Sequence, residues 1–549
     1  MKHILLLYLF FVFIAVKGQQ WDWAKSSSNI SYLGAHPITT DKAGNTYEAI
    51  LLHGNLTIDS LMLNGSPSGI GIIKYDTYGK ILWGKSFVGN GYPFPQTITH
   101  DNYGNVYVGG SFSGDSLKID SVVLTKNVPN GCDGFLVKLD SLGGVVWAKG
   151  IGGGRNETME SVVTDQSGNI YMSGVFSNTI SLDSVFSSEG GNDIYVLKIN
   201  AQGNTLWVKI LGASQNESSK SLALDAFGNL YLSGSFNDSL FIVGTDAMLN
   251  HKAYGSDIFI AKFDPLGNIS WSKSIGGTGN DYTTDLKVDL SGNIYMTGYF
   301  HSPSITLGNT TLNNPYAPQS RRIFVVKYNS IGNILWTQTA EGATSANALA
   351  IDSKNNLYVV GNCGAGAIFG ADTLKKTMNP PSRSRLFIAK YDSNGNSLWA
   401  KGAGSRWDAT AGAVSCDAIG NVYITGSFND DSLHFGNVTL INANFPYFYY
   451  FYDMFIAKLK VMDIVGIPDF ELKKDYSMYP NPSSGIISVS LEMSDVTKVC
   501  VYDLLGNCVY DKKKKQDEQD INLSGLAKGV YLLELTSDKQ KISKKIVLQ

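Results

Sequence analysis

A repeat of 60 to 65 residues runs through most of the 549-residue chain and constrains its fold more than any other feature. One tryptophan marks each copy, and successive copies are 60, 64, 60, 64, 65 and 63 residues apart. A period of this length predicts supersecondary units that each pack on their neighbours, not one ordinary core. The seven tryptophans are Trp23, Trp83, Trp147, Trp207, Trp271, Trp336 and Trp399.

Two further markers recur seven times in a fixed order relative to the tryptophan. The first is an Asp-x-x-Gly-Asn-x-Tyr motif, in which Asn355 replaces the glycine of the sixth copy. It begins at Asp41, Asp101, Asp165, Asp225, Asp289, Asp352 and Asp417. The second is an apolar run that ends in Lys74, Lys138, Lys198, Lys262, Lys327, Lys390 or Lys458. Three markers in one order exclude chance similarity between the units.

Each unit is predicted to contain four β-strands, named A to D. In the fourth unit these are 221–225, 229–236, 257–264 and 269–273. Gly-Asn turns join A to B and C to D, because glycine and asparagine tolerate the positive φ that tight turns require. No helical period occurs in any unit. The pattern predicts an all-β chain in which each unit is a four-stranded sheet, or blade, of a seven-bladed β-propeller.

The two ends of the repeat array are incomplete in complementary ways. The seventh unit has strands A, B and C but no Trp-x-Lys strand after Lys460, whereas an unassigned Trp23-Ala24-Lys25 lies at the start. The N-terminal segment is therefore predicted to supply strand D of blade seven, which removes the open sheet edge. An open solenoid is the alternative, and it leaves both partial units without a partner.

The repeat also resembles a known family. The segment at 276–300, GGTGNDYTTDLKVDLSGNIYMTGYF, is similar to the bacterial β-propeller repeats abbreviated SBBP. The resemblance covers residues 21–460 within a predicted propeller domain of 19–460. It implies a propeller fold and a location outside the cytoplasm, and it implies no reaction.

The N-terminus is predicted to be a signal peptide over residues 1–18. Lys2 and His3 precede an apolar run of 13 residues from Ile4 to Val16, which is too short to span a bilayer. A buried N-terminal strand is the alternative. No later run of 18 apolar residues occurs, so no transmembrane segment is expected.

The C-terminus is predicted to be a second domain. A linker at 461–475 contains Pro468, and short alternating strands with glycine turns follow, which predicts a small β-sandwich over 476–549. Its motifs are Tyr-Pro-Asn-Pro at 479–482, Val-Tyr-Asp-Leu-Leu-Gly at 501–506 and Lys-Lys-Ile-Val-Leu at 544–548. In this order they resemble the type A C-terminal sorting domain of type IX secretion in Bacteroidetes.

That resemblance implies a location outside the cytoplasm and a partner. The type IX secretion machinery would recognise residues 476–549 and carry the chain from the periplasm across the outer membrane. Removal of the domain would follow, and then release or surface attachment. A structural module that stays attached is the alternative.

Composition and motifs exclude several functions. The net charge of −3 and the pI of about 6.2 disfavour a nucleic-acid binder, which needs a basic surface. No zinc-protease, Cys-x-x-Cys, Gly-x-Ser-x-Gly or P-loop motif occurs, so no catalytic residue is predicted. Five cysteines are too few for a disulfide scaffold, although Cys500 and Cys508 flank a turn and can pair. We expect a monomer.

The connections between strands B and C differ most among the units and are predicted to carry the binding surface. Strand C begins with aspartate in blades two, three, four and seven, but with Arg322 and Arg385 in blades five and six. The blade-seven connection adds Tyr447, Tyr449, Tyr450 and Tyr452. Arginines beside aromatic rings suit sugars and anionic groups. Ordinary sequence drift, with the rings folded onto the blade, is the alternative.

Acidic residues precede strand A in four units, at Glu157, Glu217, Asp281 and Asp408. If strand A is innermost, these carboxylates ring the mouth of the central channel. No cofactor is otherwise predicted, but this arrangement leaves open a Ca²⁺ site. Solvated acids that accept hydrogen bonds from loop amides are the alternative.

The sequence leaves two classes of function. The first is a secreted or cell-surface binding scaffold that recognises a glycan or a surface protein. The second is a propeller enzyme that acts on polysaccharide, as a lyase or a glycoside hydrolase, which requires converging carboxylates or a Tyr or His base.

Overall fold

The structure is a computed structural model that describes two compact units of the chain. The larger unit lies within Lys17–Val461, and the smaller includes Met462–Gln549. The predicted signal peptide and the linker at 461–475 lie outside the described residues. The described residues are 20–30, 36–129, 131–251, 255–374, 385–404, 408–442, 452–460, 477–490, 496–503, 508–513, 520–537 and 541–549.

All regular structure in the described residues is β-strand, so the predicted all-β class is confirmed. In the larger unit these residues form seven main sheets, each containing four strands in the antiparallel order A-B-C-D, and additional short hairpins. Strands A are Ile38–Thr40, Pro93–His100, Glu157–Thr164, Glu217–Leu224, Asp281–Val288, Glu341–Ile351 and Ala409–Cys416. Strands B are Thr46–Leu52, Val106–Phe112, Ile170–Leu182, Leu230–Phe236, Ile294–Phe300, Leu357–Phe369 and Val422–Phe428.

The outer half of each sheet consists of strands C and D. Strands C are Ser68–Tyr75, Asp133–Leu139, Ser184–Ile199, Asp257–Phe263, Arg322–Tyr328, Arg385–Tyr391 and Tyr452–Lys460. Strands D are Ile81–Gly89, Val145–Ile151, Thr205–Leu211, Ile269–Ile275, Ile334–Gln338, Ser397–Ala403 and Gln20–Ile30. Where they pair with strands B and D of their own blade, strands C are almost wholly buried because neighbouring sheets cover both of their faces, whereas the first nine residues of Ser184–Ile199 are exposed or half-buried.

The seven sheets surround a central cavity of about 630 Å³. Strands A of all seven blades line it, and each contacts the next, including blade seven with blade one. Strand A is therefore innermost. The ring closes through the N-terminal strand Gln20–Ile30, which pairs antiparallel with Tyr452–Lys460 so that Ala24 lies opposite Ala457. The first described residues thus complete the sheet of the last blade.

The B–C connections, predicted to be the most variable parts of the repeat, all contain a β-hairpin. In blades one, four, five and seven a separate β-hairpin forms, and in blade two the hairpin also pairs with strand D of blade one. In blades three and six strand B itself extends into the hairpin. Its turn contains a residue with positive φ, which is aspartate in blades one to three and glycine in blades four to seven. The strands are Leu56–Ile58, Leu61–Leu63, Ser116–Ile119, Val122–Thr125, Leu240–Val243, Asp246–Leu249, Ser304–Leu307, Thr310–Asn313, Asp372–Thr373, Ser432–Phe435 and Val438–Ile441.

The Asp-x-x-Gly-Asn-x-Tyr marker is a hydrogen-bonded turn. In blade two, Asp101 Oδ1 accepts the backbone N–H groups of Tyr103 and Asn105, each at 2.9 Å. Its Oδ2 accepts the Asn105 amide at 2.7 Å and the Tyr107 hydroxyl at 3.0 Å. Both carboxylate oxygens are therefore occupied within the turn, which supports a structural role for this motif and not a calcium loop.

The tryptophan and lysine markers join adjacent blades. Lys262 lies over the Tyr231 ring, with Nζ 5.2 Å from the ring centroid, and donates to the carbonyl oxygen of Ser330 in the next blade at 3.1 Å. Trp271 Nε1 donates to the same oxygen at 3.4 Å. The same two bonds to one carbonyl recur at five further junctions, through Trp23, Trp83, Trp147, Trp207 and Trp336.

The smaller unit contains a three-stranded and a four-stranded antiparallel sheet in its described residues. One apolar cluster, which includes Ile487, Val501, Leu533 and Ile546, is shared by strands of both sheets. Cys500 and Cys508 are free thiols. The strands are Ser477–Tyr479, Ile486–Ser490, Val496–Tyr502, Cys508–Lys513, Asp520–Asn522, Gly529–Ser537 and Lys541–Leu548.

Candidate ligand-binding cleft on the loop face

The B–C and D–A connections share one face of the propeller, which we call the loop face. On this face blade three borders a cleft of about 540 Å³. Its lining residues are four asparagines, three serines, two glycines and Arg155, with no carboxylate and no large apolar side chain among them. The cleft therefore offers hydrogen-bonding groups and one positive charge.

The long B–C ribbon of blade three forms one wall of the cleft. The Asn178 backbone N–H donates to Ser188 Oγ at 3.0 Å across this ribbon. The D–A connection to blade four forms another wall, where Asn216 Oδ1 accepts the Asn192 N–H at 3.0 Å. A Cβ on Gly190 would collide with the Ser214 backbone, so the close approach of the two walls requires glycine there.

Buried acids lie directly beside the cleft residues in the chain. Glu157 follows Asn156, Asp193 follows Asn192 and Glu217 follows Asn216, and their exposed fractions are 0%, 0% and 1%. Strand register explains the alignment, because Glu157 and Asp193 both lie opposite Phe176, on the two sides of strand B. Glu157 and Glu217 thus begin strands A, and Asp193 occupies the matching register position within strand C of blade three.

The first residue of strand C meets the first residue of strand A in the next blade. The Glu157 N–H donates to the Cys132 carbonyl at 2.8 Å, next to Asp133. Three consecutive junctions therefore contain an acid pair. The pairs are Asp133 with Glu157, Asp193 with Glu217, and Asp257 with Asp281.

Two features of the predicted acidic ring need correction. Ala409, not Asp408, lies opposite Phe428, so Asp408 precedes the shared position by one residue and is half-buried. The other three acids, Glu157, Glu217 and Asp281, lie at blade junctions and are not among the residues that line the central cavity. Each of these three acids therefore pairs with the strand C aspartate of the preceding blade, because strand A begins beside that blade.

Burial shifts the ionisation of the paired acids. Burial, with a smaller contribution from the neighbouring Asp133, raises the pKa of Glu157 to about 7. Burial, with a smaller contribution from Asp238, raises the pKa of Glu217 to about 8. Burial also raises the pKa of Asp281, although Ser302 Oγ donates to it at 2.7 Å. Protonation of these groups is therefore favoured in the folded state.

The structure describes part of the surface predicted over blades five to seven. Arg322 is half-buried and donates from Nη1 to the Asn313 carbonyl at 2.8 Å. Arg385 is only 6% exposed, because it begins a strand between two blades. Tyr452 is half-buried, and burial raises its pKa. Tyr447, Tyr449 and Tyr450 lie outside the described residues, so this surface stays a prediction.

Sequence reasoning missed the cleft, although a signal was present. An asparagine precedes an acid at 156–157, 192–193, 216–217 and 280–281, always at the start of strand A or within strand C at the loop face.

In the described part of the smaller unit, Cys500, Cys508 and Asp511 each place one ligand atom within 4.8 Å of the others. That group has metal-binding geometry within the described residues.

These features define an all-β protein with a β-propeller and a small C-terminal β-domain. Residues 477–549 match the family model described as a secretion system C-terminal sorting domain. The domain is the export signal of type IX secretion, so the chain is exported to the cell surface or secreted. No helix within the described residues is long and apolar enough to cross a membrane.

Three curated proteins are similar to parts of this chain. An uncharacterised WD repeat-containing protein of Acanthamoeba polyphaga mimivirus is 26% identical over 548 residues, which cover 82% of this chain and 39% of that protein. Regulatory protein FlaEY of Caulobacter vibrioides is 27% identical over 160 residues, 28% of this chain and 17% of that one. An endo-acting ulvan lyase of Formosa agariphila is 34% identical over 80 residues, 14% and 16% of the two chains.

The chain thus matches less than half the length of each of these relatives. Among solved structures, the Neurospora crassa Pan2 WD40 domain is 12% identical, with coverage of 67% and 90% of the two chains and a TM-score of 0.30. A protein of unknown function from Bacteroides thetaiotaomicron is 11% identical, with coverage of 81% and 99% and a TM-score of 0.27. These scores are too low to transfer a function.

Proposed function

We propose that this exported chain, built from SBBP-type repeats, is a binding scaffold that recognises a glycan on the loop face of its propeller. The observation that carries the proposal is the cleft of blade three. Side-chain amides both donate and accept hydrogen bonds, as sugar hydroxyl groups do, and serine hydroxyls add further partners. A cleft of about 540 Å³ is large enough for a small part of a polysaccharide.

Arg155 gives the cleft a preference for an acidic sugar. Its side chain is exposed, and its guanidinium has no hydrogen-bond or ion-pair partner among the described residues. Guanidinium groups bind carboxylate and sulfate oxygens in a bidentate manner. We therefore assign the ligand to glycans that carry carboxylate or sulfate groups.

A second candidate surface lies over blades five to seven on the same face. We place it on Arg322, Tyr447, Tyr449, Tyr450 and Tyr452 and leave out Arg385, which is only 6% exposed. Arg321 is stacked on Tyr299 with its guanidinium carbon 4.5 Å from the ring centroid, which places one more cation beside this surface. Aromatic rings and arginines together suit the faces and anionic groups of sugars.

A polysaccharide lyase or glycoside hydrolase is the alternative. Carboxylate pairs with raised pKa values beside a cleft are typical of such enzymes. Glu157 and Glu217, however, are 0% and 1% exposed, so a substrate does not reach them in this conformation. The 80 residues shared with the Formosa ulvan lyase are too short a match to carry its activity.

The test is glycan-array binding of the full chain, followed by calorimetry with the best acidic polysaccharide. Truncation of one amide or guanidinium partner costs about 1–3 kcal/mol, so Arg155→Ala and Asn156→Ala are expected to weaken binding about tenfold or more. Arg322→Ala and Tyr452→Phe probe the second surface and serve as matched controls.

The outcomes separate the alternatives. Loss of binding only in the blade-three variants supports the cleft, and loss only in the controls transfers the site to blades five to seven. Failure of acidic glycans to bind, with every variant unchanged, contradicts the proposal. Release of oligosaccharides from the polysaccharide, abolished by Glu217→Gln, would identify an enzyme instead of a scaffold.

A further inference from the structure

Two neighbouring blade junctions bury four carboxylates that are only partly satisfied. They are Asp133 with Glu157 and Asp193 with Glu217, and each side chain is at most 2% exposed. One oxygen of each has no hydrogen-bond partner among the described residues. These oxygens are Asp133 Oδ1, Glu157 Oε2, Asp193 Oδ1 and Glu217 Oε1. A buried carboxylate oxygen without a partner is costly, so each atom requires a ligand or a proton.

Within the described residues, no basic side chain compensates the pair between blades three and four. The charges that shift the pKa values of Asp193 and Glu217 all come from acids, among them Glu189 and Asp238. Asp238 lies within hydrogen-bonding reach of Glu217 and also accepts bonds from the Ser214 hydroxyl and the Gln215 N–H, each at 2.6 Å. This junction therefore concentrates negative charge, and the part of the chain that the structure describes supplies no counter-ion to it.

The junction of blades two and three is similar. Lys126 lies near Asp133, but its Nζ donates to the backbone carbonyls of Ser113, Pro129 and Gly131. A glycine follows strand D in both junctions, Gly152 and Gly212, and a Cβ there would collide with the adjacent aspartate. The glycines thus let the aspartate carboxylates lie close against the backbone.

At other junctions, side chains of the protein itself act as partners of the acids or replace them. Between blades four and five, His251 Nδ1 lies 2.6 Å from Asp257 Oδ2. Asp281 accepts bonds from the Ser302 hydroxyl and three backbone N–H groups. In blades five and six an arginine takes the place of the aspartate. Only the two junctions described above combine two acids with two orphaned oxygens in the described part of the ring.

We propose that each of these two junctions binds one Ca²⁺ ion between the orphaned oxygens of its acid pair. Ca²⁺ takes six to eight oxygen ligands in flexible geometry and tolerates water among them, whereas Mg²⁺ requires near-ideal octahedral coordination. Asn156, Asn192 and Asn216 precede the paired acids and line the open cleft. Each site therefore lies next to residues of the open cleft, and the ion neutralises charges that burial otherwise disfavours.

Bound Ca²⁺ is expected to stabilise the folded chain, and this effect is independent of glycan binding. A ligand that binds only the folded state stabilises it by RT ln(1 + [L]/Kd). Calcium sites of extracellular modules have Kd values of about 10⁻⁴–10⁻³ M, so about 10 mM Ca²⁺ should saturate both sites and raise the melting temperature.

The experiment uses the full chain, stripped with a chelator, in calorimetric and thermal titrations with CaCl₂ and with MgCl₂. Two Ca²⁺ ions per chain and a weaker response to Mg²⁺ are expected. Asp193→Asn with Glu217→Gln removes one site, and Asp133→Asn with Glu157→Gln removes the other. Asp453→Asn is the matched control, because Asp453 is a buried acid at the same position of strand C in blade seven, and both ions should remain bound.

The amide replacements keep the shape of the carboxylates, so a folded variant without calcium binding is the diagnostic result. Absence of Ca²⁺ binding by the wild-type chain at about 10 mM overturns the proposal. Undiminished stoichiometry in both double variants also overturns it, because the ions would then bind elsewhere. Higher stability of the double variants at alkaline pH without any calcium effect would show that each pair shares a proton instead.

Discussion

Lys458 Nζ donates to the carbonyl oxygen of Thr77 at 2.7 Å, although the two residues are 381 positions apart. Trp23 Nε1, on the N-terminal strand, donates to the same oxygen at 3.2 Å. The contact between blades seven and one is thus the same as that between consecutive blades. Its two donors come from opposite ends of the propeller sequence, so closure uses the ordinary interface of the repeat.

Removal of the Trp23 side chain is expected to weaken this closure. Trp23 is half-buried between Tyr75 and Tyr423, with ring-centroid distances of 6.5 and 6.2 Å. Trp23→Ala should lower the free energy of unfolding by about 3 kcal/mol, and Trp23→Phe by about 1 kcal/mol through loss of the hydrogen bond. Urea unfolding monitored by circular dichroism measures both changes.

Trp399 provides the matched control for the hydrogen bond. It occupies the equivalent position on strand D of blade six, but has no carbonyl acceptor among the described residues. Trp399→Phe is therefore expected to cost less than Trp23→Phe. Equal costs for the two substitutions would show that the bond to Thr77 does not stabilise the ring.

In blade four, the aspartate of the A–B turn is expected to stabilise the fold more than the aspartate of the C–D turn. Asp225 accepts the Tyr231 hydroxyl at 3.1 Å in addition to the turn donors, and Tyr231 is fully buried. Asp225→Ala should cost about 2–3 kcal/mol, because it leaves a buried hydroxyl without its partner. Asp264→Ala removes only the donors of an exposed turn and should cost clearly less in the same denaturation assay. Equal losses would contradict this role for the tyrosine.

Asn355 is expected to tolerate glycine but not alanine. It has a φ of 59°, the conformation that glycine adopts at the equivalent turn positions, such as Gly104 and Gly292. The left-handed conformation costs an alanine about 1–2 kcal/mol, so Asn355→Ala should be destabilising by that amount and Asn355→Gly close to neutral. Chemical denaturation of the two variants checks this. A stable alanine variant would argue against a left-handed turn at this position.

Stability without divalent cations is expected to fall as the pH rises from about 4.5 to about 8. Burial raises the pKa of Glu217 from 4.5 to about 8, so in this window the folded chain keeps a proton that the unfolded chain releases. The stabilisation is complete below the unfolded pKa and is lost as the pH passes the folded one. In urea unfolding of the chelator-treated protein, Glu217→Gln should reduce the change in the free energy of unfolding across this pH range by about 1 kcal/mol.

Glu341→Gln is the matched control for that profile. Glu341 begins strand A of blade six and is exposed, so its replacement should leave the pH dependence of unfolding unchanged. A Glu217→Gln profile that coincides with the wild-type profile would contradict the burial of an ionisable pair at this junction.

Truncation after residue 460 is expected to stop export without unfolding the propeller. The sorting domain at 477–549 forms a unit separate from the propeller in the described residues, with its own apolar cluster. Cell fractionation should find the truncated chain in the periplasm and the full chain at the surface or in the medium. Secretion of the truncated chain would show that the tail is dispensable.

Much of the fold was predictable because its determinants are local. The Asp101 turn forms within seven residues, and strand alternation is read directly from neighbouring side chains. The unpaired Trp23 segment also predicted the closing strand, because one missing strand and one surplus strand complement each other. The B–C hairpins were missed, although their apolar alternation, as at Leu117 and Ile119, was visible in the sequence.

The candidate site was less predictable. The acids at 157, 217 and 281 were found, but their partners Asp133, Asp193 and Asp257 belong to the preceding blades. Arg385, predicted at a binding surface, proved to be buried. A shift of one residue separates Asp408 from the shared strand position, and such a shift changes the face on which a side chain lies.

The sequence by itself determined the repeat, the strands, the turns and the export address, since each is encoded by side chains within a short segment. Only the tertiary structure decided which acids meet, which oxygens lack partners and where a polar cleft opens. Those features arise where adjacent sheets pack, and packing joins residues such as Asp193 and Glu217 through register and burial that no local pattern records.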